Sequence, residues 1–258
     1  MPFAEVNGIK YHYERAGTGC PVILVTGLAG NVSFWSKIVP SLAEHFDVIT
    51  VDNRGAGSTE YSGEFTIDDM ADDIAALAKQ LGLEKVHILG WSMGSHIALN
   101  FAARYPELTR TLTLVSSYLK RPSRSAYVLR SIGEQYRDGI IGEEVVGTVM
   151  NTLLWTESFF RYMESTGRQV KALPIDSKEG MVDQLMAVDN YDIESAAEKV
   201  AVPTLSVHGL EDIMTPPVCG DEIAAKIKGC EIIRVPEEGH IIRPDKYIPQ
   251  FAQFIAKH

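Results

Sequence analysis

A chain of 258 residues, 45% of them hydrophobic, is long enough for one large α/β core. Its 34 acidic side chains outnumber 24 basic ones, and the resulting charge of −10 argues against a phosphate-backbone partner. Three cysteines without metal-ligand spacing (Cys20, Cys219, Cys230) point to a reduced, cytoplasmic compartment.

The amino terminus, Met1-Pro2-Phe3-Ala4-Glu5-Val6, has neither the basic start nor the apolar core of a signal peptide. No stretch has the apolar length of a membrane span, so a soluble protein is expected. Ile9-Lys10-Tyr11-His12-Tyr13 alternates as a strand does, and Gly17-Thr18-Gly19 breaks it. Pro21-Val22-Ile23-Leu24-Val25-Thr26 is a continuous apolar run, the pattern of a strand buried on both faces. Phe46 to Val51 reads as the next strand and ends in the turn-rich Asp52-Asn53-Arg54-Gly55-Ala56-Gly57-Ser58. Thr66 and Asp69 have capping-box spacing, and Ile67, Met70, Ile74, Leu77 and Leu81 recur at helical intervals behind them. A strand from Val86 to Leu89 then leads into Gly90-Trp91-Ser92-Met93-Gly94, and a helix from Met93 runs to about Tyr105, before Pro106. Leu112-Thr113-Leu114-Val115 is a further strand. Strand and helix alternate throughout this half, which implies a mostly parallel sheet with helices on both faces.

From about Tyr118 to Val200 the chain is helical and poor in strands. Strands return at Pro203–Val207 and Glu231–Val235, with a helix from about Pro217 to Lys228 between them and a last helix from about Lys246. The expected organisation is an α/β core built from residues 1–117 and 201–258, with a helical lid or cap inserted at 118–200.

A serine held between glycines at a strand-to-helix junction is the pattern of a nucleophile elbow. The tight turn projects the hydroxyl outward, and the Met93 N–H at the helix start is placed to face a developing oxyanion. A serine hydroxyl needs a histidine to take its proton, and that histidine needs a carboxylate to orient it. The acid candidates Glu211 and Asp212 follow the seventh strand; the base candidate His240 follows the eighth. In a parallel sheet such positions gather along the edge where ligands bind. His208 is the rival base, but it precedes the acid loop and reads as a packing residue. His96 lies a helical turn past Ser92 and reads likewise. Arg54 reads as a brace for its own turn, and Asp52 as a structural strand-end carboxylate.

The elbow, the Asp52-Asn53-Arg54-Gly55 turn, the Gly209-Leu210-Glu211-Asp212 loop and Gly239-His240 together resemble the α/β-hydrolase family, along nearly the whole chain. The resemblance implies that fold with an eight-stranded sheet. It also implies Ser92 as nucleophile, His240 as general base and acid, and Asp212, four residues before Pro216, as the orienting carboxylate. Leu28 N–H would join Met93 N–H in an oxyanion hole. Family members usually carry His-Gly after the third strand, where this chain has Thr26-Gly27; a backbone donor survives that change. Ser95 stands where many relatives have a second glycine.

No HExxH, His-x-His-x-Asp, phosphate loop or dinucleotide fingerprint is present, so neither metal nor cofactor is expected. Ser92 excludes the aspartate nucleophile of dehalogenases and epoxide hydrolases. The Ser-Met-Gly elbow is most similar to the carboxylesterase and 3-oxoadipate enol-lactonase branch. A small, partly apolar ester or lactone is therefore the expected substrate, with Trp91, Trp155 and Phe159 as candidate contacts. Phe160, Met163, Met181 and Met186 are further apolar residues of the inserted segment; Arg121, Arg124, Arg130 and Arg137 offer charge for a substrate carboxylate, and solvated helix faces explain them at least as well. The same architecture hosts carbon–carbon bond hydrolases, thioesterases and cofactor-free haloperoxidases, as well as ligand sensors with weak hydrolysis.

Overall fold

The apolar runs of the sequence line up as strands of one sheet in the computed structural model, which describes residues 2–61, 63–172 and 174–258. The strands are β1 (Phe3–Val6), β2 (Ile9–Ala16), β3 (Cys20–Val25), β4 (Phe46–Val51), β5 (Val86–Trp91), β6 (Thr109–Val115), β7 (Thr204–Gly209) and β8 (Glu231–Val235). Among the described residues the sheet has eight strands in the order β1-β2-β4-β3-β5-β6-β7-β8. β1 and β2 form an antiparallel pair and β2 runs antiparallel to β4; every later pairing is parallel. β1 has no counterpart in the sequence reading, because only Ala4 and Val6 of its four residues turn inward.

The helices are α1 (Val39–Leu42), α2 (Ile67–Gln80), α3 (Met93–Arg104), α4 (Ser123–Arg137), α5 (Glu143–Leu154), α6 (Glu157–Ser165), α7 (Lys178–Asp189), α8 (Ile193–Ala197), α9 (Val218–Lys226) and α10 (Ile248–Lys257). α2 begins as its capping box dictates: Thr66 Oγ1 accepts from Asp69 N at 3.1 Å, and the Asp69 carboxylate accepts from Thr66 N at 2.8 Å. β3 shows why its run is apolar throughout. Ile23 and Val25 join the core of α2 and α3 on one face, while Val22 and Leu24 join that of α1 and α10 on the other.

α4 to α8 lie in the chain between β6 and β7. α4 and α7 pack on each other, whereas Ile193, Ala196 and Ala197 of α8 belong to the same core as α2 and α3. Among the described residues no helix is long and apolar enough to cross a membrane.

Three histidines are buried in this framework without charge. Desolvation pulls His96 down to about 3, and His87 and His208 down to about 4, from an ordinary 6.5. Between those values and 6.5 the unfolded chain binds protons that the folded chain refuses, so stability rises with pH across that window. The melting temperature is therefore expected to fall as pH drops from 6.5 towards 4.5. Melting curves that stay flat, or rise, on acidification over this range would contradict the neutral burial of these three rings.

Candidate active site

β5 ends at Trp91 and α3 begins at Met93, leaving Ser92 alone at the corner with φ 54° and ψ −123°. An L-residue occupies that region only when its surroundings force it there. The forcing is a close approach of backbones. A Cβ on Gly94 would lie 2.2 Å from Val25 O, and one on Gly90 would lie 2.1 Å from Gly94 O. The start of α3 is thus pressed directly onto the ends of β3 and β5. Ser92 N donates to Val115 O at 2.9 Å, which ties the corner to the neighbouring strand β6.

Ser95 is fully buried, with its hydroxyl bonded to Ser92 O and 2.7 Å from Ser117 Oγ. Ser117 supplies the polar partner that lets a hydroxyl stand at this position.

Two loops at the same sheet edge bring the acid and the base together. β7 and β8 are neighbours, and past their ends Leu210 N donates to Val235 O and Glu211 N to Glu238 O, each at 2.9 Å. Asp212 is buried, whereas Glu211 points to solvent. Asp212 Oδ1 accepts from Met214 N and Thr215 N, both at 2.8 Å, and Oδ2 accepts from Thr215 Oγ1 at 2.7 Å. His240 is held by its carbonyl, which accepts from Trp91 Nε1 at 3.0 Å and Ser116 Oγ at 2.8 Å. Its Nδ1 lies 2.9 Å from Asp212 Oδ2, and its Nε2 lies 2.9 Å from Ser92 Oγ.

Burial alone would raise the Asp212 carboxyl. The charge and hydrogen bond of His240, with the Thr215 hydroxyl and N–H, outweigh it and hold the group below the usual carboxylate range. A carboxylate kept ionised fixes Nδ1 as the protonated imidazole nitrogen and leaves Nε2 free to accept the serine proton. Such a relay can activate a hydroxyl for attack on a carbonyl. Among the described residues neither Leu28 N nor Met93 N has a protein acceptor, and Met93 N is the first N–H of α3.

Ser92 and His240 open onto a cavity lined mainly by apolar side chains that include Leu28, Trp91, Met150, Leu154, Leu185 and Met214. Tyr118 and Arg121 also reach it, but Arg121 is committed: it pairs with Asp189 and its Nε donates to Tyr118 Oη at 2.9 Å. A second cavity shares Leu28, Trp91 and Met150 with the first and extends between Phe34, Val146, Ile175 and Met181. Phe34 stacks on Trp91 with ring centroids 4.4 Å apart.

Trp91 lines both cavities and Met181 the second. Trp155 and Phe159, the other candidate contacts, stack on each other at the α5–α6 junction, centroids 4.1 Å apart, and line neither cavity. Helical spacing alone did not reveal that two aromatic rings would satisfy one another. Met186 is largely exposed and also lines neither. Arg130 lies 3.6 Å from Asp189, and Arg137 pairs with the adjacent Asp138.

His208 packs against Gly220, and His96 meets Tyr118 edge-on at 4.4 Å. Arg54 binds Asp73 through Nε and Nη2 at 2.6 and 2.9 Å. Thr215 went unnoticed in the sequence, although an Asx-type turn at Asp212, bonding the N–H of Met214 two residues on, brings the Thr215 hydroxyl to the same carboxylate. Among the described residues no group of three or more His, Cys, Asp or Glu is arranged to hold a metal ion.

The chain matches the model of the alpha/beta hydrolase fold family over residues 21–247, and it belongs to that family. It is 25% identical to RutD of Pantoea ananatis, a proposed carbamate hydrolase, over 88% of this chain and 85% of RutD. It is 28% identical to BpoC of Mycobacterium tuberculosis, a proposed non-heme bromoperoxidase, over 90% of this chain and 91% of BpoC. The enol-lactonase of Burkholderia xenovorans superposes with a TM-score of 0.87 at 24% identity, over 99% of this chain and all of that one. Hydrolase is the enzyme class that the family and these relatives support.

Two substitutions test the geometry. Gly94→Ala drives a methyl into backbone oxygens that have no freedom to retreat, so stability is expected to fall by about 3 kcal/mol. Urea unfolding within 1 kcal/mol of the parent, on the order of experimental error, would contradict the close approach. Asp212→Asn keeps an acceptor for Met214 N and Thr215 N but turns an amide donor towards His240 Nδ1. The imidazole is then held in the wrong tautomer, and turnover is expected to drop about 10³- to 10⁴-fold with the far-ultraviolet spectrum unchanged. Unaltered rates would remove Asp212 from the relay.

Proposed function

We propose that this protein is a serine hydrolase that cleaves a small, uncharged, partly apolar carboxylic ester or lactone. The observation that carries the reading is the unbroken chain from Asp212 through His240 to Ser92 Oγ, opening on an apolar cavity. Ser92 Oγ attacks the acyl carbonyl as its proton passes to His240 Nε2. Leu28 N–H and Met93 N–H receive the negative charge that develops on the carbonyl oxygen. His240 then protonates the departing alcohol or enol oxygen, leaving an acyl group on Ser92. Water, deprotonated by the same imidazole, attacks that acyl group, and the acid departs as Ser92 regains its proton.

Residues 118–200 serve as the lid of this reading. Met150, Leu154 and Leu185 from the segment close the cavity over Ser92 and keep bulk water from the oxyanion. The neighbouring cavity behind Leu28, Trp91 and Met150 gives room for an apolar substituent of the substrate. Neutralisation of Arg121 by Asp189 favours an uncharged substrate over a carboxylate-bearing one. Esters, lactones and carbamates share the acyl carbonyl that the relay attacks, and the apolar lining favours the ester or lactone, which brings no additional N–H to desolvate.

Steady multiple turnover of p-nitrophenyl acetate and butyrate is expected, with at least ~10³-fold loss in Ser92→Ala. In a panel of aryl esters, lactones, thioesters and carbamates matched in size, kcat/KM should be greatest for an ester or lactone. A preference for carbamates would redirect the substrate assignment, and turnover retained in Ser92→Ala would end the proposal.

A further inference from the structure

The loop that carries Leu28 is held in place by a side chain from another part of the chain. Gly30 N closes a turn onto Gly27 O at 3.1 Å, and inside that turn Ala29 adopts φ 54°. A non-glycine residue in the left-handed region stays there only if its neighbours hold it. On its core side the loop is fixed by Thr26 Oγ1, which donates to Gly30 O at 2.9 Å, and by Asn53 Nδ2, which donates to Thr26 O at 3.0 Å. Ala29 N is bound by Gln184 Oε1 at 2.7 Å, from the middle of α7.

Gln184 is fully buried, and its other amide atom is also used: Nε2 donates to Arg54 O at 2.7 Å. One carboxamide thus links the Leu28 loop to the turn after β4. α7 is seated tightly enough to aim it. A Cβ on Gly180 would lie 2.2 Å from Gly55 O, so backbone meets backbone there. Asp176, just ahead of α7, accepts from Asn31 Nδ2 and from Gly57 N, each at 2.9 Å. The helix therefore grips the same two loops at three points, and Gln184 is the one beside Leu28.

We propose that Gln184 is a positioning residue. Its carboxamide holds Ala29 in the left-handed conformation, keeping Leu28 N–H aimed at the substrate oxygen, and so makes assembly of the oxyanion site depend on the seating of α7. The inference rests on the serine-hydrolase reading above. No other non-titrating side chain of this length both accepts from Ala29 N and donates to Arg54 O. Methionine has similar length but does neither. A buried glutamic acid does both while protonated and loses the donor when it ionises.

The test measures wild type, Gln184→Met and Gln184→Glu on p-nitrophenyl butyrate, with inhibition by an alkyl trifluoromethyl ketone, whose serine adduct carries an oxyanion. Butyrate ion, which makes no such adduct, serves as the ground-state control. For Gln184→Met, kcat is expected to fall about 10- to 100-fold, the effect of misplacing one group by about 1 Å, with KM nearly unchanged. The ketone should weaken in parallel while butyrate does not. Gln184→Glu should keep near-parental kcat at low pH and acquire an alkaline decline that wild type lacks.

A folded Gln184→Met with parental kcat, or with a loss confined to KM, would overturn the assignment. Equal weakening of ketone and butyrate would also overturn it, since that is general damage to the pocket. If Gln184→Met does not fold, the pH profile of Gln184→Glu decides, and a profile parallel to wild type overturns the proposal. Failure of wild type itself to turn over esters would instead sink the functional reading, and this one with it.

Discussion

The structure is organised around one steric fact, the contact of the α3 backbone with the ends of β3 and β5. Gly90 and Gly94 have no room for a Cβ, and Ser92, midway between them, is forced to φ 54°. A helix pressed this close cannot drift, because it meets carbonyl oxygens of the central strands rather than flexible side chains. Ser92 Oγ is consequently fixed relative to the sheet. Any group meant to reach it must be delivered to that spot by the neighbouring strands. The strand order does so, since β5, β6, β7 and β8 are consecutive and their carboxyl ends share one edge.

Delivery alone does not make a relay; the electrostatics must also hold in a buried place. Asp212 is removed from water but meets two backbone N–H groups, a hydroxyl and an imidazole, so its charge is better matched than solvent alone would allow. The carbonyl of His240 is pinned by Trp91 and Ser116, leaving the ring little freedom except to bridge acid and serine. Trp91 therefore has two functions. Its indole nitrogen anchors the histidine loop, while its ring forms part of the wall between the two cavities. A substitution at Trp91 acts on both.

Much of this was legible in the sequence because local chemistry and global architecture agree. The elbow is written in two glycines around a serine, α2 in its capping box, and β3 in an apolar run that proves to be buried on both faces. The loops of Asp212 and His240 were legible because strand ends in a parallel sheet are ordered in the chain as well as in space, whereas the choice of Asp212 over Glu211 came from the family resemblance. The pocket was less legible. Trp155 and Phe159 have the composition of lining residues, yet ring stacking turns them towards each other. The residues that do line it, such as Met150 and Leu154, sit one helical turn apart in α5, with nothing in their types to distinguish a cavity wall from packing. Gln184 was illegible for a related reason. A polar residue in a helix reads as solvent-facing until the two loops that bury it are placed over it.

The chain contains a second buried histidine–carboxylate pair, and the contrast separates a candidate site from a structural one. His12 Nδ1 lies 2.6 Å from Asp52 Oδ2, a geometry close to that of His240 and Asp212. Asp52 also accepts from Val32 N and Ser58 N at 2.7 Å, so it ties the segment after the Leu28 loop to the turn after β4. Among the described residues the far nitrogen of His12 is buried with no hydroxyl, thiol or other hydrogen-bond partner, and the residue lines neither of the two cavities described. A pair of this kind orients an imidazole but has nothing to activate and nowhere for a substrate to enter. What distinguishes His240 is therefore not its carboxylate, which His12 also has, but the strained serine at its other nitrogen and the space beyond it.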